Sequence, residues 1–506
     1  MPPPPVAATC APPVSPADVS APDRVVGDGS AGSCTEQALA AAVAAGGVIT
    51  FDCGAEPVTI ELNATLTPPL DRDTVLDGGG KVTLSGGRRV RILALDTGNF
   101  ERPTPTLTLQ RLALVDGKSS GASTPLGTAT DGGGGAVYHL GGTVVAIDST
   151  FRNNEGPAEG PDVAGGAIFG AGAGETIVVG STFDGNRCAN GGAVGALHTA
   201  VTIVNSVLVN NVATGYGANF IDGQGQQAGR GGNGGALSMD GENRALTLCG
   251  VTVANNTGGA FGGAVFRTSY HGEPTTIDKS TFQGNVVLDR EGDLPSGAGG
   301  LYLQGSAVTV TASTIAGNVA KGNAGLWVLG HGAQAATVSL TNVTIAGNAT
   351  HERADFTQQG IGGGLVVGDN TTGTLLNCTI VGNRAQFASG VSNVSPLTLR
   401  NTIISNEARN PYTPLNCTGS SYSSPPGAGD HNLQWPQGVQ DDLDCSPGIA
   451  RQDPALGPPA DNGGPTPTVA PQPGSPASGA GADCAPTDQR GRPRKAACTL
   501  GAYEVE

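Results

Sequence analysis

Charge is scarce in this chain, at 13% of residues, and two short stretches are locally rich in it. LDREGDLPS sets Asp289, Glu291 and Asp293 beside Arg290, and THERADFTQQ sets Glu352 and Asp355 beside His351 and Arg353. Two carboxyl groups facing each other across a cleft, one held protonated by its surroundings, are what glycoside hydrolysis requires. A polysaccharide lyase needs a base instead, with an arginine or a metal to neutralise a uronate. Arg267, Tyr270, His271 and Lys279 lie close enough in sequence to be recruited for that. Charged loop residues are more often simply solvated, so the weight falls on recognition without chemistry. Ser-His-Asp, HExxH and calcium-loop patterns are missing, so the protease and zinc-hydrolase readings fall. The six histidines are scattered, and each reads as structural rather than as a metal ligand.

A repeat must position these residues. GGAIFGAGAGETIVVGSTFDGN at 165–186 opens with a glycine pair, a small residue and an aliphatic one, and closes with an apolar residue and an asparagine three places later. The frame returns at 134–154, 191–211, 234–256, 262–285, 299–318, 324–348 and 362–383, and in degenerate form at 388–406. Such a period marks a solenoid. Within a copy the apolar residues alternate by two, step by three, and alternate again, as in Val308, Val310 and Ile315 or Val338, Leu340 and Ile345. That spacing predicts two short strands joined at a bend, and the opening segment supplies a third. Three short strands cannot bury their apolar sides alone, whereas stacked copies can. The expected fold is therefore all-β, a right-handed parallel β-helix. The closing asparagines read as a turn ladder, since asparagine tolerates left-handed backbone and its amide can bond its counterpart one coil away.

In register, the position after the inward aliphatic reads Tyr138, Phe169, Gly195, Ser238, Phe266, Tyr302, Trp327, Val366 and Ser392. Side chains alternate across a strand, so this column should face outward. Five rings on one face of a chain with 4% aromatics suggest a platform for sugar rings. The competing reading is that overlying loops cover them as a second small core. Long loops leave the corner just before this strand at every second coil (155–164, 212–233, 286–298 and 349–361), which would build a wall beside the rings or fold over them.

The net charge of −16 disfavours nucleic acid, and makes a polyanionic ligand awkward without a bridging cation. No apolar run is long enough for a transmembrane helix. Ten cysteines without zinc-like CxxC spacing suggest disulfides, and hence a place outside the reducing cytosol. We expect Cys34 to pair with Cys53, Cys484 with Cys498, and Cys417 with Cys445. The start, MPPPPVAATC, lacks a basic n-region and an apolar h-region, so either a signal peptide was removed or export uses another route.

Four segments are expected. Residues 1–23 are a Pro/Ala-rich disordered leader. Residues 24–95 form the N-terminal cap and first coils, with Thr35 capping a short helix that carries Leu39 and Val43 and covers the open end. Residues 96–410 are the regular β-helix, and 411–506 a cysteine-bearing cap module that closes the other end.

The pairing of GGA-aliphatic (Gly134, Gly165, Gly191, Gly234, Gly262) with FxxN (Phe151, Phe183, Phe282) resembles the repeat of the polymorphic outer membrane proteins, surface β-helix adhesins. The tail, DNGGPTPT…PGSPA…ADCAPTDQRGRPR…CTLGAYE, is similar to the choice-of-anchor Q domain of secreted bacterial β-helix proteins. Both resemblances imply the fold and an extracellular or cell-surface location, and neither implies one chemistry.

Together these features favour a monomeric protein that binds an extended extracellular glycan through Tyr138, Phe169, Phe266, Tyr302, Trp327, His351 and Arg353. The glycan is expected to be neutral, given the protein's own charge. The alternatives are a glycoside hydrolase or polysaccharide lyase using Asp289, Glu291, Asp293, Glu352, Asp355 or Arg267, and a structural surface spacer. No cofactor or metal site is expected, apart from room for a bound calcium.

Overall fold

The computed structural model describes residues 9–119, 132–241, 243–289, 294–352, 360–406, 412–419 and 427–506. The chain divides into two compact units, residues 1–247 with 256–260, and residues 248–255 with 261–506. Each winds as a right-handed parallel β-helix with three short strands per coil.

In the first unit, Ile168–Ala171 pairs in parallel with Val137–Leu140 on one side and Val194–Leu197 on the other. Glu175–Val179 and Thr182–Asp184 stack on their counterparts in the same way. Inward residues from successive coils meet ring on ring, as Phe151 and Phe183 do at 4.5 Å between centroids and 6° between planes. This stack is why the FxxN motif carries an aromatic: the inward position repeats every coil, and like fits on like.

The helix Glu36–Ala45 forms as expected, with the Thr35 hydroxyl accepting from the Ala38 N–H at 3.2 Å and Gly46 ending it at φ +68°. Leu39 and Val43 on its inner side are fully buried, and the Cys34–Cys53 disulfide ties its start to the end of the next strand.

Residues 9–23 differ from the disorder their composition suggests. The Asn205 side chain accepts from the Thr9 and Cys10 N–H groups and donates to the Cys10 carbonyl, while Gln110 exchanges two hydrogen bonds with the backbone of Ala17. Val14 packs against Val145, Ile147 and Val179. A proline-rich extended segment needs little ordering entropy, and outward amides and aliphatics on the coils give it partners.

The asparagines form the ladder, but with one correction to the turn chemistry. From Asn154 to Asn383 the left-handed residue is the one before the ladder asparagine: Asn153, Gly185, Asn210 and Asn255, then Gly284, Gly317, Gly347 and Gly382. The ladder asparagines themselves are turned inside and buried. In the first unit the amide of Asn154 donates to Asn186, that of Asn186 to Asn211, and that of Asn211 to Asn256, each at 2.9 Å. In the second, Asn285, Asn318 and Asn348 each donate to the next at 2.9 Å, and the run continues from Asn383 to Asn406 at 3.2 Å and from Asn406 to Asn416 at 2.9 Å. Each ladder oxygen also takes a backbone N–H from the preceding coil, as in Asn318 N–H to Asn348 Oδ1 at 3.0 Å. The GN and NN dipeptides therefore divide two jobs, a backbone bend and a buried amide rung.

The C-terminal segment carries the Cys484–Cys498 disulfide, and Cys417–Cys445 closes the loop before it. It docks along the flank of the second unit's coils. Gln489 meets Thr314 and Thr344, Ala485 N–H donates to Asn377 at 2.9 Å, and Asn401 donates to the Ala482 carbonyl at 2.8 Å. Within it Arg490–Asp488 and Arg494–Glu504 are buried ion pairs, and the Arg490 guanidinium lies 3.6 Å over the Tyr503 ring.

Candidate functional site

The outward column forms in register within each unit: Tyr138, Phe169, Gly195 and Ser238 in the first, and Phe266, Tyr302, Trp327, Val366 and Ser392 in the second. Its neighbours on both sides, such as Leu301 and Leu303, point inward and are buried. The surroundings of the rings differ between the units.

In the first unit Tyr138 and Phe169 are each only 1% exposed, with centroids 6.0 Å apart. They pack with Ala164, from the loop 155–164, and with Leu140, Ala94 and Leu197. The loop explains the glycine next in the column: a Cβ on Gly195 would come within 2.5 Å of the Ala164 Cβ. Arg91 sits 4.9 Å over the Tyr138 ring. In that same loop burial raises the Asp162 carboxyl above the ordinary range, against a hydrogen bond from Asn219. No sequence pattern singled Asp162 out, because its burial depends on how the loop folds.

In the second unit four rings cluster. Phe266 stacks on Tyr302 at 5.4 Å and 4°, and Trp327 meets Tyr302 edge-on at 5.1 Å. Phe261 closes the group, 4.7 Å from Tyr302 and 6.1 Å from Trp327. Tyr302 forms the base, 7% exposed, and burial pushes its phenol up to about 12. Phe261, Phe266 and Trp327 stay partly exposed. The loop before the strand Leu301–Gln304 touches the Trp327 ring through Gly297, where a Cβ would lie 3.1 Å from Cζ3. Two polar atoms on the strand and turn from Trp327 to His331 are buried without a hydrogen-bond partner, Trp327 Nε1 and His331 Nδ1. His331 packs edge-on against Tyr270, 4.8 Å between centroids. Phe261, Tyr270 and His331 fell outside the sequence column because they sit at corners, where alternation gives no direction.

The charged candidates take other places. Arg267 is inward, in the column with Leu303 and Val328, and 0% exposed, so it does not share a face with Tyr270 and His271. Glu273 accepts from Ser269 Oγ and lies 3.3 Å from His271 Nδ1, which makes this group a self-bonded turn. Lys279 pairs with Asp278 at 3.5 Å. Asp289 pairs with Lys321 at 3.4 Å, and Glu352 with Arg384 at 3.6 Å. His351 Nε2 meets the Val287 carbonyl at 2.9 Å, tying the start of one long loop to the start of another. Glu291, Asp293, Arg353 and Asp355 lie outside the described residues.

Residues 235–424 match the family model described as the right-handed beta helix region, in agreement with the winding. No curated protein matches the chain. Among solved structures the Dettilon tailspike protein is similar at 10% identity and a TM-score of 0.26, over 83% of this chain and 65% of that one, a likeness too slight to argue from. None of the described helices is long and apolar enough to cross a membrane.

Proposed function

We propose that this is a secreted or cell-surface β-helix protein that recognises an extended, neutral glycan on the lateral face of its second unit. The observation that carries the reading is the cluster of Phe261, Phe266 and Trp327, partly exposed on a buried Tyr302. Aromatic faces pack against the C–H faces of sugar rings, and a ring already held by its neighbours loses little freedom on binding. The disulfides Cys34–Cys53, Cys417–Cys445 and Cys484–Cys498 fit an oxidising location.

Recognition is favoured over cleavage because Asp289 and Glu352 are each engaged by a cation. A glycosidase acid has to be free to meet the glycosidic oxygen, and both of these carboxylates are already drawn into ion pairs. The test is binding to an array of linear neutral polysaccharides. Trp327→Ala and Phe266→Ala should each weaken the best ligand by about tenfold, the order expected of one ring–sugar contact. Unchanged binding by both variants would remove the proposal.

A further inference from the structure

A different sheet of the second unit carries a second regular surface. Its strands Pro274–Asp278, Ala307–Thr311, Ala336–Thr341, Thr371–Leu376 and Leu397–Arg400 stack in parallel. Their outward positions form one column of Thr276, Thr309, Ser339, Thr374 and Thr398, and beside it Thr337 above Thr372. All are exposed except Ser339, which is partly so. Over the last coils the surface sinks into a trough of about 490 Å³, lined by Thr337, Ser339, Thr372, Thr374, Pro396 and Thr398, with no charged or aromatic side chain among its walls.

The hydroxyls of this face are unspent. Threonines elsewhere in the same coils bond internally: Thr275 to Ser306, Thr311 to Asp278, Thr344 to Gln489. None of the seven outward hydroxyls bonds a protein group among the described residues. Each carries a donor and two acceptor sites, and each threonine adds a methyl group. They repeat every ~4.8 Å between coils and about 6.6 Å along a strand.

We infer that this trough is a second carbohydrate site, taking a linear neutral polysaccharide that runs along the coil axis with about one hexose per coil. Phosphate, sulfate and uronate ligands would lack a cation here, and amines a carboxylate. A protein partner would lack the large aromatic or arginine anchors that dominate such interfaces. A neutral sugar chain matches what is present, methyl groups for its C–H faces and hydroxyls for its own. The volume suits a short stretch of chain. The site rests on hydroxyls rather than rings, so it stands or falls separately from the aromatic face.

Isothermal titration of the full chain with cello-, xylo-, manno- and chitohexaose tests it, in a background carrying Trp327→Ala and Phe266→Ala. That background should still bind at least one hexaose at one site per chain. Adding Thr374→Arg, a solvent-facing change, should weaken it more than tenfold, and Thr372→Val with Thr374→Val, which removes hydroxyls but keeps shape, should weaken it severalfold. The inference is overturned if the background binds no hexaose, or if Thr374→Arg leaves every affinity within twofold. Loss of binding on Trp327→Ala alone, with no effect of Thr374→Arg, would support the aromatic face and sink the trough.

Discussion

Asn318→Ala probes what holds the second unit's coils together. The Asn318 oxygen accepts from the backbone N–H of Asn285 at 3.0 Å and from its amide at 2.9 Å, while its own amide donates to the Phe282 carbonyl and to Asn348 Oδ1. Truncation leaves two donors of Asn285 stranded at a site where both asparagines are 0% exposed. A buried polar group left unpaired costs about 1–3 kcal/mol, so the variant should lose roughly 2–6 kcal/mol. That is a large share of the ~5–15 kcal/mol by which a domain is stable. Because each coil contacts only its neighbours, the damage should be local. Urea unfolding should show a destabilised transition, and hydrogen exchange should show lost protection at the Asn285 amide before distant coils change. Thr309→Ala, at an exposed position of a nearby strand, is the control and should stay within about 0.5 kcal/mol. A loss below about 1 kcal/mol for Asn318→Ala, or unaltered exchange at Asn285, would refute the claim that the amide rungs hold the stack.

Three further outcomes follow from buried groups. His139, fully buried with Nδ1 facing the Gly141 and Gly142 carbonyls and Nε2 at Thr176, is lowered to about 4 by desolvation. The unfolded chain, with an ordinary histidine, binds the proton first as pH falls. Stability of the first unit should therefore drop between about pH 6.5 and 4, by roughly 3 kcal/mol, and His139→Gln should flatten that slope in denaturant titrations across pH. Cys188 and Cys378 are buried free thiols pushed up to about 12 by burial, so a thiol reagent at pH 8 should label neither in the native protein and both after denaturation. The phenol of Tyr302 should ionise near pH 12 in ultraviolet titration, two units above its ordinary value, and Trp327→Ala should bring it down by opening the cluster to water.

The periodic part of the molecule was legible in the sequence because its physics is periodic. An inward aliphatic at a fixed offset sets strand register, so the column from Phe266 through Trp327 could be aligned without coordinates, and Thr35 with Gly46 marked the helix ends. The three proposed cysteine pairs form for a related reason: each lies within a short segment at one end of the repeats, where few alternatives are in reach. What could not be read is whatever depends on one non-repeating segment meeting another. Tyr138 and Trp327 hold the same place in the repeat, yet Ala164 packs beside the first while Gly297 leaves the second partly open.

That contrast carries a consequence for the site. Since alternation alone makes a ring outward, the loop residue that rests on it decides whether it can meet a ligand. Gly297 is the smallest possible cover, its Cα side lying against the Trp327 ring edge. A leucine at position 297 should extend over the indole and convert the second unit's cluster into the covered kind seen around Phe169. Glycan binding should then fall about tenfold in Gly297→Leu while Gly297→Ala keeps most of it, measured on the same array. The fold should survive, because the inward residues Leu301 and Leu326 are untouched. Equal binding by Gly297→Leu and the parent protein would mean that the ligand, if bound on this face, does not use the indole.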